Sequence, residues 1–205
     1  VEEPRAILFD LDGVLVESRE AWFRVVQAAA RHFRTADVDR ARFDAGWGQG
    51  VDADVRDFFP GCSQADVERF YEDRLLDYGD FIEPDPEARA TLARLRDLQV
   101  PRGVVTNTPT FLARDILAFV ALVGLVDVTV GAGGAVRPKP EADSVRAACE
   151  ALEVLPQHTL LVGDSLFDEK AARAAGARFL GLRMANGGSA QSLSEVLRFF
   201  ERARA

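Results

Sequence analysis

Six acidic, hydroxyl and amine side chains in this sequence fall where chemistry is easiest to build. Asp10 and Asp12 follow the apolar run Ala6-Ile7-Leu8-Phe9 and precede Gly13. Three further polar clusters follow later apolar runs: Thr106-Asn107-Thr108, Arg137-Pro138-Lys139-Pro140, and Gly163-Asp164-Ser165-Leu166-Phe167-Asp168. A short apolar run ending in carboxylates reads as a buried strand, and in open α/β sheets ligands bind at the carboxyl ends of the strands. Two carboxylates at one strand end, with more carboxylates and one amine available from other strand ends, suit general acid–base or nucleophilic work.

The elements that must position these groups show in the periodicity. From Ser18 to Tyr78 the pattern is helical. Trp22, Val25, Val26, Ala29 and Phe33 share one face, with Ser18 as expected N-cap. A second helix is expected over residues 37–45, a third capped by Asp52 and running to Phe59, and a fourth from Ser63, whose spacing to Asp66 resembles a capping box. Gly46-Trp47-Gly48-Gln49-Gly50 separates the second and third as a flexible turn. Glu83-Pro84-Asp85-Pro86 then marks a boundary, because closely spaced prolines resist both helix and sheet.

Beyond it helices (87–98, 110–119, 142–152, 169–175) alternate with short apolar strands (103–105, 126–130, 159–162, 179–182), and a final helix is capped by Ser192 with Glu195. This alternation implies an α/β fold: a Rossmann-like parallel sheet covered by helices on both faces. The expected organisation is a core of residues 1–16 and 83–205 interrupted by a four-helix cap at 17–82.

Composition narrows the partners. A net charge of -8 argues against a nucleic-acid or anionic-membrane partner, since either needs a basic face. The acidic N-terminus lacks the charge of a secretory signal, so a cytoplasmic location is expected. The longest apolar run, residues 116–126, is too short to span a bilayer. Cys62 and Cys149 lie far apart without a CxxC, which suits two reduced structural thiols. His32 and His158 match no pattern, and Gly131-Ala132-Gly133-Gly134 reads as a loop rather than a dinucleotide cradle.

Taken together, FDLDGVL, VVTNT, the Lys of RPKP and GDSLFD, in that order and each after a predicted strand, resemble the four motifs of the haloacid dehalogenase superfamily. The resemblance covers the whole chain and is specific to the phosphatase branch with a small helical cap after the first motif. It implies Asp10 as nucleophile and Asp12 as general acid and then base. It further implies Thr106 and the Asn107 backbone N–H on a phosphoryl oxygen, and Lys139 as the positive point charge. Mg²⁺ would be held by Asp10, the Asp12 carbonyl and Asp164, with Asp168 ligating it or holding its waters; an all-oxygen set suits that ion. Trp47 and Gln49 are the expected substrate-binding residues of a cap loop. The alternative for Trp47 is a place in the core of the helical cap.

Only two of the 25 basic residues are Lys, and one of them stands at the third motif. Arg137 competes for that position and is taken as structural or peripheral. Residues 17–82 contain no Lys, which excludes relatives that form a Schiff base from the cap, and Asp12 excludes the dehalogenases and transport ATPases. The expected activity is a Mg²⁺-dependent phosphatase for a small phosphorylated metabolite, similar to phosphoglycolate phosphatases, acting through an aspartyl-phosphate as a monomer or homodimer. The alternatives are a phosphomutase of the β-phosphoglucomutase kind, which the unusual Val14 also fits, and a non-catalytic binding protein that keeps the fold.

Overall fold

The computed structural model describes residues 3–184 and 190–202. In chain order the elements are β1 (Ala6–Phe9), β2 (Val16–Glu17), α1 (Arg19–Phe33), α2 (Arg40–Gly46), α3 (Val51–Asp57), α4 (Gln64–Arg74), β3 (Glu83–Pro84), α5 (Ala88–Asp97), β4 (Arg102–Pro109), α6 (Thr110–Phe119), β5 (Val128–Ala132), α7 (Asp143–Ala151), β6 (Thr159–Gly163), α8 (Leu166–Ala175), β7 (Arg178–Gly181) and α9 (Leu193–Arg202). Three 3₁₀ segments, Leu75–Phe81, Val123–Leu125 and Pro156–His158, complete the set.

Five strands form one parallel sheet in the order β5-β4-β1-β6-β7. β1 lies at its centre, and Ala6, Ile7, Leu8 and Phe9 are all fully buried, because helices cover both faces. Burying a side chain such as Phe9 contributes roughly 1.5–3 kcal/mol. Sheet position thus fixes the start of the first motif: Asp10 leaves the centre of the sheet, its N–H still bonded to the Val162 carbonyl of β6. The α/β class and Rossmann-like parallel sheet are as the alternating pattern implies.

The helices α1–α4 lie between β2 and β3, and these two-residue strands pair antiparallel, Val16 with Pro84 and Glu17 with Glu83. The closely spaced prolines resist sheet, yet Pro84 pairs here. A two-residue ribbon has edges on both sides, so the missing Pro84 N–H costs no interior ladder bond. One apolar cluster runs from Ile7 and Phe9 of the sheet through Trp22 and Val25 of α1 to Tyr71 of α4.

Four helix starts differ from the sequence expectation. α2 begins at Arg40 rather than at 37, because the Asp39 side chain caps it by accepting the Arg42 N–H. Ser18 precedes α1 but makes no capping bond, because its hydroxyl is committed elsewhere. α3 begins at Val51 after Gly50, with Asp52 in its first turn rather than at the cap. α8 begins at Leu166, earlier than expected, because Ser165 and Asp168 close a capping box around its first turn.

Candidate active site

The carboxyl ends of β1, β4 and β6 and the loop carrying Lys139 meet at a cavity of about 290 Å³, roofed by α1 and the Gly46–Gly50 turn. Asp10, Asp12, Thr106, Asn107, Lys139, Asp164, Trp47 and Gln49 all line it; Asp168 lies directly behind, fully buried.

Lys139 Nζ sits 2.8 Å from Asp10 Oδ1 and 2.5 Å from Asp168 Oδ1. The Leu11 N–H also donates to Asp10 Oδ1, at 2.7 Å. Asp10 Oδ2 takes no protein hydrogen bond among the described residues, so one oxygen is anchored and the other is open. Burial pushes the Asp10 carboxyl well above the usual carboxylate range, with Asp168 adding to the rise and Lys139 opposing it. Burial likewise pushes Asp164 up to about 6, again with a contribution from Asp168. For Lys139 burial alone would lower the ammonium's pKa, but Asp10 and Asp168 outweigh it and the net shift is upward.

Asp12 is held by three donors from three places. Ser18 Oγ and Trp22 Nε1 (3.1 Å) donate to Oδ1, and Thr108 Oγ1 donates to Oδ2 at 2.8 Å. β4 makes this possible through an irregularity. Thr106 pairs with Gly131 and Pro109 with Ala132, while residues 107 and 108 have no partner on β5. Gly131 is obligatory here, since a Cβ would stand 2.1 Å from the Thr108 carbonyl oxygen. Thr106 Oγ1 accepts from the Thr108 N–H at 3.1 Å.

Asn107 is a strut. Its Oδ1 accepts from the Lys139 N–H at 2.6 Å, and its Nδ2 donates to the Lys139 carbonyl at 3.1 Å and to the Gly48 carbonyl at 2.8 Å. The side chain therefore ties the lysine loop to the turn between α2 and α3. Trp47 lines the cavity and also packs on Phe43, with ring centroids 5.5 Å apart, so the two readings of its position describe one arrangement. Gln49 Oε1 accepts from Arg56 at 3.3 Å. Arg137 points away, paired with Asp143 at 2.8 Å and Glu141 at 3.2 Å.

A family model described as haloacid dehalogenase-like hydrolase matches residues 4–176. The chain belongs to this family. Among curated relatives, the phosphoglycolate phosphatase of Escherichia coli K12 is 29% identical over 222 residues, covering 95% of this chain and 87% of the relative. That of Chromobacterium violaceum is 30% identical over 181 residues, covering 84% and 82%. Among solved structures, a haloacid dehalogenase-like family hydrolase of Streptococcus pneumoniae has a TM-score of 0.77 at 20% identity, covering 96% of this chain and 98% of that one. A β-phosphoglucomutase of Clostridium difficile has 0.75 at 16%, covering 97% and 98%. At these identities the structural likenesses establish the shared fold.

For a haloacid dehalogenase-like hydrolase the donor set can be tested against a divalent cation. Carboxylate oxygens of Asp10, Asp164 and Asp168 lie within 4.8 Å of one another. Asp10 and Asp168 share the Lys139 ammonium with Asp164 close by; burial is the main cause of the upward shifts of Asp10 and Asp164, and the neighbouring carboxylates add to both. Gly13 provides the room: with φ at +82°, it leaves Asp164 Oδ2 where a Cβ would approach to 2.1 Å. Hard oxygen donors with surplus charge fit Mg²⁺. Asp168 fits it least, because Oδ1 is on Lys139 and Oδ2 accepts from the N–H and hydroxyl of Ser165.

Sequence reasoning missed Ser18, Trp22, Thr108 and Asp54. The first three hold Asp12, and Asp54 lines the cavity from α3. The alternation of Thr106 with Thr108 was a usable signal for one of them. Trp22 gave none, because a Trp on an apolar helix stripe reads as core.

Proposed function

We propose that this hydrolase is a Mg²⁺-dependent phosphatase of a small phosphomonoester, working through an aspartyl-phosphate on Asp10. The observation that carries the reading is the contrast between the two carboxylates of the first motif. Asp10 presents one unbonded oxygen beside an ammonium, whereas Asp12 is held in place by Ser18, Trp22 and Thr108. Asp10 Oδ2 attacks phosphorus; the O–P bond forms as the ester P–O bond breaks, and Asp12 delivers its proton to the departing oxygen. Asp12 then takes a proton from the water that cleaves the acyl-phosphate, returning both groups to their starting states.

Lys139 and the Thr106 hydroxyl face the phosphoryl oxygens, and charge stabilisation there is the main demand of phosphoryl transfer. Asp10 and Asp164 would hold Mg²⁺, with the Asp12 carbonyl as a further donor and Asp168 behind them through Lys139. The bound ion supplies the charge that keeps Asp10 ionised and screens it from an anionic substrate. Residues 17–82 act as a cap: the Asn107–Gly48 bond draws that segment over the site, which excludes water during aspartylation. A cavity of about 290 Å³ suits a diffusible metabolite, and the relatives' names make phosphoglycolate the reference substrate.

A phosphomutase needs a second anion site on the cap side. Among the described residues the one cap cation lining the cavity is Arg19, and it is paired with Asp44 at 3.0 Å, which favours hydrolysis. Turnover of p-nitrophenyl phosphate with Mg²⁺, loss of it with chelator, and loss in Asp10→Asn are the expected results, with a phosphorylated Asp10 peptide trapped by rapid quench. Full activity in Asp10→Asn would sink this mechanism.

A further inference from the structure

The cap side of the cavity is chemically one-sided. Trp22, Phe43, Trp47 and Phe58 supply aromatic surface, Val26 and Val51 aliphatic surface. Arg19, the only basic side chain there among the described residues, is spent twice: on Asp44, and over the Trp47 ring at 5.6 Å. The remaining charged group is Asp54. Tyr71 donates to its Oδ2 at 2.9 Å and so fixes the carboxyl, while Oδ1 has no protein hydrogen bond among the described residues. Burial above all pushes the Asp54 pKa upward, with Asp52 and Asp57 adding to the rise and the Tyr71 hydrogen bond opposing it.

An anionic leaving group entering this wall would meet aromatic faces and, above about pH 7, the Asp54 carboxylate, and would find no unpaired cation to replace its water. A donor meets the opposite situation, an anchored acceptor with an open oxygen. The volume agrees with a ring: a cavity of about 150 Å³ takes up benzene, and about 290 Å³ leaves space for the phosphoryl group as well.

We propose that the substrate's leaving group is a ring-sized alcohol or phenol carrying a hydroxyl or ammonium donor and no carboxylate, and that Asp54 is the specificity-determining residue that accepts from that donor. The inference rests on the phosphatase reading above; hydrolysis releases this alcohol and inorganic phosphate with consumption of one water.

Four phenyl phosphates bearing 4-methyl, 4-hydroxymethyl, 4-aminomethyl and 4-carboxymethyl groups test it, with phosphoglycolate as reference, in wild type and in Asp54→Asn, assayed above about pH 7 where Asp54 is ionised. Wild type should favour the hydroxymethyl and aminomethyl esters over the carboxymethyl ester by about tenfold or more in kcat/KM, the low end of what a single changed contact in a binding pocket discriminates. Asp54→Asn should bring the aminomethyl-to-methyl ratio to near one. Each result is a ratio within one protein, and the wild-type panel stands without the variant. Equal or better turnover of the carboxymethyl ester or phosphoglycolate by wild type, or an unchanged ratio in Asp54→Asn, overturns the inference and leaves the phosphatase reading in place. Failure of every ester with Mg²⁺ overturns both.

Discussion

Lys139 Nζ and Asp168 Oδ1 stand 2.5 Å apart with both side chains buried, and the same Asp168 closes the capping box of α8. One carboxylate thus aims the lysine and starts the helix. Gly163 allows it: a Cβ there would lie 2.3 Å from the Asp168 Cβ.

Asp168→Ala leaves Lys139 with Asp10 and the Val105 carbonyl and removes the Asp168 side-chain half of the α8 capping box. Breaking a buried ion pair from one side costs about 3–5 kcal/mol, so a fall in urea midpoint of that size is expected, together with loss of phosphatase activity. Asp168→Asn keeps an acceptor for Ser165, so it should recover much of the stability while activity remains low. Equal stabilities for the two variants would count against the double role.

Asn107→Ala cuts the strut between the lysine loop and Gly48. Unsatisfied buried partners cost about 1–3 kcal/mol. The distinguishing readout is local: amide exchange at residues 46–50 should accelerate while that of β1 stays slow, and KM should rise more than kcat falls. Unchanged exchange in that turn would show that the strut does not hold it.

The sheet was legible because its strands are short, apolar and alternate with amphipathic helices. The family motifs were legible because β1, β4 and β6 deliver polar residues to one edge. What was hidden had a common cause. Ser18 gives its hydroxyl to Asp12 instead of capping α1, and Trp22 belongs to a core stripe while its indole N–H reaches the site. Such dual use depends on where α1 sits over the sheet edge, and helical periodicity does not encode that. Asp168 shows the converse: read for chemistry, it concealed the capping box that starts α8.

Gly13→Ala, with Gly61→Ala as its control, tests whether the tight passage of the turn after β1 past Asp164 matters for the cation. The new Cβ would meet Asp164 Oδ2, whereas Gly61, at φ +90°, has nothing within 4 Å of its Cβ position. Both variants carry the strain of a non-Gly residue at positive φ, about 1–3 kcal/mol. Only Gly13→Ala should also weaken Mg²⁺ binding by calorimetry, by about tenfold or more, the scale of a disturbed ligand shell. Matching Mg²⁺ affinities in the two would refute the steric argument.

Asp54 gives a pH signature with a definite sign. Burial pushes its pKa from 3.8 to about 7, with Tyr71 opposing and Asp52 and Asp57 reinforcing. Below pH 3.8 the carboxyl is protonated folded or unfolded, and it contributes no pH dependence. Between 3.8 and about 7 the unfolded chain releases this proton while the folded protein keeps it, so rising pH favours unfolding. Above that window the full cost is present, about 2–4 kcal/mol after allowance for the side chain's partial access to the cavity. Asp54→Asn cannot ionise and still accepts from Tyr71. Its stability advantage over wild type should therefore be near zero at pH 4, grow through pH 5 and 6, and level off above pH 7. Urea midpoints of the two proteins across that range, in chelator to remove any effect of Mg²⁺, check this; parallel curves would place the Asp54 pKa near its ordinary value and make it an ionised acceptor throughout.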